Sequence, residues 1–105
     1  MAKRFDTIIV GAGSAGCVLA ARLSEDSSRR VLLLEAGPPD NSLLIRMPAA
    51  VAKSIASPRF NWHYRTEPQA HMDGRRIYWP RGRVLGGSSA INALVVVRGH
   101  PSDYD

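Results

Sequence analysis

Six residues, Gly11-Ala12-Gly13-Ser14-Ala15-Gly16, follow directly on the apolar run Ile8-Ile9-Val10 and open a helical pattern. That order constrains the chain more than any other feature. Phe5 to Val10 reads as a buried strand, since β-branched Thr7, Ile8, Ile9 and Val10 end abruptly at glycine. Gly11 permits the tight turn out of the strand. Gly13 lacks a Cβ, so a pyrophosphate can approach the backbone, and Gly16 lets the following helix pack closely on the strand. The helix is predicted from about Ser14 to Leu23, with Val18, Leu19 and Leu23 on its apolar face and Ala15, Ala20 and Ala21 suited to close packing. The N–H groups of its first turn, at Ser14, Ala15 and Gly16, and the positive end of its dipole point at the phosphate position.

Val31-Leu32-Leu33-Leu34 is the continuous apolar run of a parallel strand buried on both faces. Glu35 closes it, 19 positions after Gly16. A carboxylate at that strand end can accept hydrogen bonds from both ribose hydroxyls of an adenosine, and it repels a 2′-phosphate, which disfavours NADP. The start of the chain, Met1-Ala2-Lys3-Arg4 before a small-residue run ending near Cys17, superficially resembles a lipoprotein leader. Asp6 and the glycines interrupt the apolar stretch that a leader requires.

Downstream the character changes. Gly37-Pro38-Pro39-Asp40-Asn41-Ser42 is a turn-rich exit from the second strand. Leu43 to Ile55 is apolar with Pro48 inside, so a helix is expected to start near or after that proline. Asn61 to Thr66 reads as a strand, Asp73-Gly74 as a turn, and Ile77-Tyr78-Trp79 as a short returning strand stopped by Pro80. A second glycine-rich segment follows: Gly82-Arg83-Val84-Leu85-Gly86-Gly87-Ser88-Ser89-Ala90-Ile91-Asn92-Ala93. Gly86-Gly87 allows positive φ and close approach of backbone N–H groups to a ligand. Ser88 and Ser89 are expected to cap a short helix, and Asn92 offers donors and an acceptor to a heteroaromatic edge.

The run from Pro80 to Gly99, continuing through His100-Pro101-Ser102-Asp103-Tyr104-Asp105, resembles a signature of the glucose-methanol-choline (GMC) oxidoreductases. Asn61-Trp62-His63-Tyr64-Arg65-Thr66-Glu67-Pro68-Gln69, Tyr78-Trp79-Pro80-Arg81-Gly82 and the Gly11–Gly37 segment are similar to the same family, especially its choline-dehydrogenase-like branch. The resemblance covers essentially the whole chain, and the second motif is the more specific one. It implies an α/β, Rossmann-like FAD-binding portion of a GMC-type flavoprotein. On this reading residues 1–37 are the βαβ unit, 38–79 a connecting segment and 80–105 the second flavin motif, with the substrate domain absent. It assigns Arg83, Val84, Gly87, Ser88, Asn92 and Ala93 to the flavin's surroundings. Trp62, with Ala36, falls near the path from adenosine to ring or on the active-site wall, although core packing is an equal reading for Trp62 and the preferred one for Trp79. Some family members attach flavin through a histidine where this chain has Ile91, so non-covalent FAD is expected.

The implied reaction is oxidation of a small-molecule alcohol by hydride transfer to flavin N5, with oxygen or another species as electron acceptor. Lyase or photodecarboxylase chemistry on the same fold and a truncated FAD- or ADP-binding module are the alternatives, and the second motif disfavours an NAD-dependent dehydrogenase. The family's catalytic histidine and its His or Asn partner match no residue present here, so no catalytic residue is assigned. The chain is expected to be an N-terminal piece of a longer enzyme and inactive alone. Two strong strands are fewer than a Rossmann-like sheet needs.

Composition adds exclusions. The formal net charge is +5, and all of it lies in residues 41–105, which carry nine basic and four acidic groups. Arg75, Arg76, Arg81 and Arg83 form the densest cluster, but no nucleic-acid-binding module accompanies them. Cys17 is the single cysteine, so neither an internal disulfide nor a Cys-based metal site is expected. No apolar run reaches membrane-spanning length. Cytoplasmic residence is the expectation, attachment to a membrane surface staying open.

Overall fold

Thr7–Val10 forms strand β1, Ser14–Leu23 helix α1 and Val31–Leu34 strand β2. The computed structural model describes residues 4–104. Met1–Lys3 of the leader-like start, and Asp105, lie outside the described residues. β1 and β2 pair in parallel, from Thr7 opposite Val31 to Val10 opposite Leu34, and α1 is the crossover. Asp6 starts the ladder: its N–H donates to the Arg30 carbonyl at 2.9 Å, and its carboxylate accepts the Arg30 N–H at 2.8 Å. In the turn before β2, the hydroxyl and N–H of Ser28 hold the exposed Asp26 carboxyl below the usual carboxylate range.

Burial of these strands on both faces is not observed. Ile9 is their one buried residue among those described, while Val10 is 83% and Leu34 46% exposed. The reason is geometric: α1 packs on the pair from one side, and β1 and β2 form a sheet of two strands only. The expected apolar face of α1 is likewise open at Val18 and Leu19, and Leu23 is half-buried.

The connecting segment corrects a second expectation. A one-turn helix, α2 (Leu43–Arg46), precedes Pro48, in addition to the helix expected after it. Met47, the residue before proline, is extended at φ −100° and ψ 108°, as the pyrrolidine ring requires of its neighbour. Pro48 then opens a 3-10 turn (Pro48–Ala50) that runs into α3 (Val51–Ala56). Of the strand expected over residues 61–66, only Tyr64–Arg65 (β3) is regular, because His63 adopts the left-handed φ of 54°. β3 pairs antiparallel with β4 (Tyr78–Trp79), and Asp73-Gly74 supplies the left-handed turn between them.

The apolar core lies beneath the second glycine-rich segment. Phe60, Val84 and Ile91 are buried, with Ile45, Ile55 and Ala90 packed against them. The segment itself lies on the first glycine turn. The Gly86 N–H donates to the Ala12 carbonyl at 2.7 Å and the Leu85 N–H to the Pro38 carbonyl at 3.0 Å. The approach is too close for side chains: a Cβ on Gly37 would meet the Arg83 carbonyl and the Val84 nitrogen. A Cβ on Gly87 would stand 2.8 Å from the Gly13 Cα. Among the described residues, no helix is long and apolar enough to cross a membrane.

Gly37→Ala is therefore expected to destabilise the fold by about 3 kcal/mol or more, since backbone must shift on both sides of the contact. Gly74 also has positive φ but faces open space. Gly74→Ala is expected to cost only about 1–2 kcal/mol. Urea unfolding of the two variants checks the order, and equal midpoints would contradict it.

Candidate cofactor site

The ends of β1 and β2 and the second glycine segment enclose one groove of about 610 Å³. Gly11 and Gly13 stand where β1 ends, Glu35 and Ala36 where β2 ends, and Trp62, Gly87 and Ser88 lie opposite. A Cβ on Gly11 or Gly13 would meet nothing within 4 Å, so this part of the surface is backbone open to a ligand. Gly16 differs: a Cβ there would strike the Gly11 carbonyl, and it would lie 3.4 Å from Ile9 Cγ2. Its role is helix–strand packing.

Gly13 is the N-cap of α1 and provides no side-chain hydrogen bond. The N–H groups of Ser14, Ala15 and Gly16 belong to the first turn, which has no intrahelical acceptors. Together with the helix dipole they make the turn an anion site at the edge of the groove. This donor set fits a pyrophosphate.

Glu35 has a second role that its position in the sequence did not reveal. One carboxylate oxygen accepts the Ala12 N–H at 2.8 Å, and the other accepts the Gly37 N–H at 2.9 Å. The carboxylate thus ties the middle of the first glycine turn to the exit of β2. Each oxygen keeps a further acceptor position, so a ribose diol can be accommodated as well.

In the second segment Gly86 (φ 93°) and Gly87 (φ 58°) take the left-handed conformations their lack of Cβ allows. The expected serine caps are not formed. Gly86 occupies the N-cap of the 3-10 turn Gly87–Ala90, and no side chain caps it. Ser88 Oγ instead accepts the Gly82 N–H at 3.0 Å, and Ser89 Oγ donates to the Gly86 carbonyl at 2.6 Å. The hydroxyls thus close the loop on itself, Ser88 reaching back to Gly82 and Ser89 to the carbonyl of the N-cap residue.

Trp62 is 42% exposed and forms a wall of the groove, outside the apolar core. Its ring stacks on Tyr64, with centroids 5.9 Å apart and planes within 5°. The Arg83 guanidinium lies 5.3 Å from the Trp62 centroid and donates to the Pro58 carbonyl at 2.9 Å. Arg83 supports the wall without lining the groove. Val84 is fully buried in the core. Asn92 and Ala93 are exposed and lie outside the groove, the Asn92 side-chain Oδ1 accepting the Leu94 N–H at 3.0 Å.

Tyr64, Arg81, Gly82, Val10 and Leu34 also line the groove. Of these, Gly82 alone lies in a segment that the sequence ties to the flavin. Gly82 opens the second motif, and this was a usable signal. Val10 and Leu34 carry none, because an apolar residue at a strand end reads the same whether it faces a core or a ligand.

Glu35→Ala removes both backbone hydrogen bonds and leaves the Ala12 and Gly37 N–H groups without their acceptor. A loss of about 1–3 kcal/mol in stability is expected, with weaker nucleotide binding in addition. Glu35→Gln can keep only one of the two N–H acceptors and is expected to fall between. Thermal unfolding with and without nucleotide separates the two effects, and unchanged stability in Glu35→Ala would contradict the structural role.

Comparison with known proteins agrees with this geometry. Residues 5–105 match the GMC oxidoreductase family. Mitochondrial choline dehydrogenase of Mus musculus is 56% identical over 105 residues, covering 93% of this chain and 18% of that protein. Alcohol dehydrogenase [acceptor] of Pseudomonas putida is 59% identical over 100 residues, covering 95% and 18%. The crystal structure of pyridoxine 4-oxidase from Mesorbium loti superposes with a TM-score of 0.85 at 50% identity, covering 96% of this chain and 20% of that one. The chain thus spans about a fifth of the length of these relatives. With its family match running over nearly every residue and both glycine turns meeting at one groove, the chain belongs to the GMC oxidoreductases.

Proposed function

We propose that this chain forms the FAD-binding portion of a flavin-dependent oxidoreductase acting on CH–OH groups of small alcohols, with oxygen or another species as electron acceptor. One observation carries the reading. Two glycine turns far apart in sequence converge on a single groove, with an uncapped helix N-terminus and a carboxylate at the same end. A nicotinamide dinucleotide needs only the first turn. The second extends the cradle along the ligand, as a bulkier flavin dinucleotide requires.

The roles of the residues follow from their chemistry. The first-turn N–H groups of Ser14, Ala15 and Gly16 neutralise a pyrophosphate, and Gly13 admits it to van der Waals contact. Glu35 accepts from the ribose hydroxyls and repels a phosphorylated ribose. Gly87 and Ser88 line the groove, and the stacked Trp62–Tyr64 pair forms an aromatic wall of it. Arg83 and Val84 hold that architecture from behind, while Asn92 and Ala93, exposed outside the groove, are tied to the flavin's surroundings by the family resemblance alone. The alcohol oxidation itself belongs to the bound flavin. Ile91, which is 4% exposed in the core, stands where covalent members of the family carry histidine. An apolar side chain cannot make that bond, so the cofactor is held non-covalently. Choline and alcohol dehydrogenases among the relatives favour an alcohol substrate.

The test is visible absorbance of the chain after incubation with FAD and gel filtration. Flavin is expected to co-elute, to resist displacement by NAD or NADP, and to pass wholly into the supernatant on acid precipitation. A folded chain that exchanges FAD freely for NAD would overturn the flavin reading, and colour retained in the precipitate would overturn the non-covalent one.

A further inference from the structure

Asn61 is 2% exposed, and it is a polar side chain in the midst of the apolar layer that supports the groove. It follows Phe60, the largest fully buried side chain, and precedes Trp62, the groove wall. A buried primary amide is costly unless all its hydrogen-bonding capacity is used. Here it is. The side-chain carbonyl oxygen accepts the N–H of His63 and the N–H of Arg81, both at 3.0 Å. The side-chain nitrogen donates to the Ile55 carbonyl at 2.6 Å and to the Tyr78 hydroxyl at 2.8 Å. The partners also fix which end is which, since two N–H donors face the oxygen and a carbonyl faces the nitrogen.

The four bonds divide by destination. The two acceptor contacts hold the backbone on either side of the wall: His63, bent to a left-handed φ directly after Trp62, and Arg81, which lines the groove beside Gly82. The two donor contacts anchor that assembly to the end of α3 and to β4. The Trp62 N–H completes the clamp by donating to the Arg81 carbonyl at 2.9 Å. Neither wall segment belongs to a regular strand at this point, so no extended ladder sets their spacing. Asn61 and Gly82 form only an isolated bridge.

We propose that Asn61 is a positioning residue for the cofactor groove, its amide setting the separation and orientation of the Trp62 and Arg81–Gly82 walls. That this wall faces FAD rests on the functional reading above. That Asn61 sets the wall does not. The side chain touches no groove volume itself, and it acts through the two N–H groups it holds.

Asn61→Asp in the full chain tests this. The shape is kept, but an ionised carboxylate turns an acceptor on the Ile55 carbonyl where a donor stood. Protonation returns one donor, so lowering the pH is a rescue by a near-isostere. Two readouts are taken from about pH 8 to about pH 5, spanning the range in which a buried carboxyl titrates. The first needs no cofactor: Trp62 emission in a Trp79→Phe background. The second is the Kd for FAD with the visible circular dichroism of the bound flavin. The ionisable group facing the amide's partners is His63, whose ring contacts the Tyr78 hydroxyl at 3.0 Å, and Arg81 is the nearby fixed charge. The Asn61-containing protein is therefore measured in parallel.

At the upper pH a red shift of Trp62 emission and a roughly 10- to 100-fold weaker Kd are expected, corresponding to loss of one to two buried hydrogen bonds. At the lower pH both defects are expected to shrink several-fold. If the variant does not fold at the upper pH, Tyr78→Phe removes one partner of the amide and keeps the ring, and a smaller shift of both readouts is expected. Trp62 emission and FAD binding unchanged in folded Asn61→Asp or Tyr78→Phe would overturn the proposal. Emission that responds while no variant, nor the parent, binds FAD would leave the positioning role standing and overturn the functional reading instead.

Discussion

The hydrogen bond from the Gly86 N–H to the Ala12 carbonyl is the contact on which the rest of this structure depends. It joins two turns that are 74 residues apart in the chain, and it does so backbone to backbone. Two glycines make that approach possible, Gly37 against Arg83 and Val84 and Gly87 against Gly13, while Gly82 against Gly87 and Ser88 tightens the second segment itself. Apolar burial contributes from beneath, through Phe60, Val84 and Ile91. Burial is non-directional, however, and cannot specify the register of one turn on another. Shape at the glycine contact does.

Two polar side chains then lock the arrangement. Glu35 draws together the first glycine turn and the exit of β2, and Asn61 draws together the two walls on the opposite side. Both act on backbone N–H groups in segments without a ladder, where an unpaired buried donor would be costly. The groove between them therefore has rigid ends, although only short strands surround it. The two-stranded sheet contributes to the groove the points at which Gly11 and Glu35 emerge, together with the strand-end residues Val10 and Leu34.

Local elements were legible where one signal dominated. The boundaries of α1 and β2 followed from an apolar run, a glycine turn and helical periodicity. The Asp73-Gly74 turn followed from turn chemistry. Elements were misread where two signals competed. Pro48 does open a helical segment that runs into α3, but the apolar residues before it, Leu43 to Ile45, are enough for a further turn that the proline signal hides. The alternation from Asn61 to Thr66 suggested a strand, but the Asn61 side chain captures the His63 N–H and turns the backbone left-handed there. Ser88 and Ser89 had the composition of helix caps, and the tight loop redirected them to Gly82 and Gly86. Within the groove, the glycines and Glu35 were recognisable because their chemistry is tied to position in a motif. Tyr64 and Arg81 were not, since their places depend on how a hairpin folds over the first turn.

The sequence by itself determined the βαβ start with its glycine turn, the acid at the end of the second strand and the family to which the chain is similar. These rest on spacings of fewer than about 25 residues, over which local sterics and hydrogen bonding decide the backbone. The tertiary structure alone decided that the two glycine turns share one groove, that Trp62 stands in its wall instead of the core, and that Glu35 and Asn61 hold it open from opposite sides. Each of those facts depends on contacts between segments distant in the chain. Their geometry is set when close backbone approach and complete pairing of buried polar groups are satisfied together, and no local pattern encodes that condition.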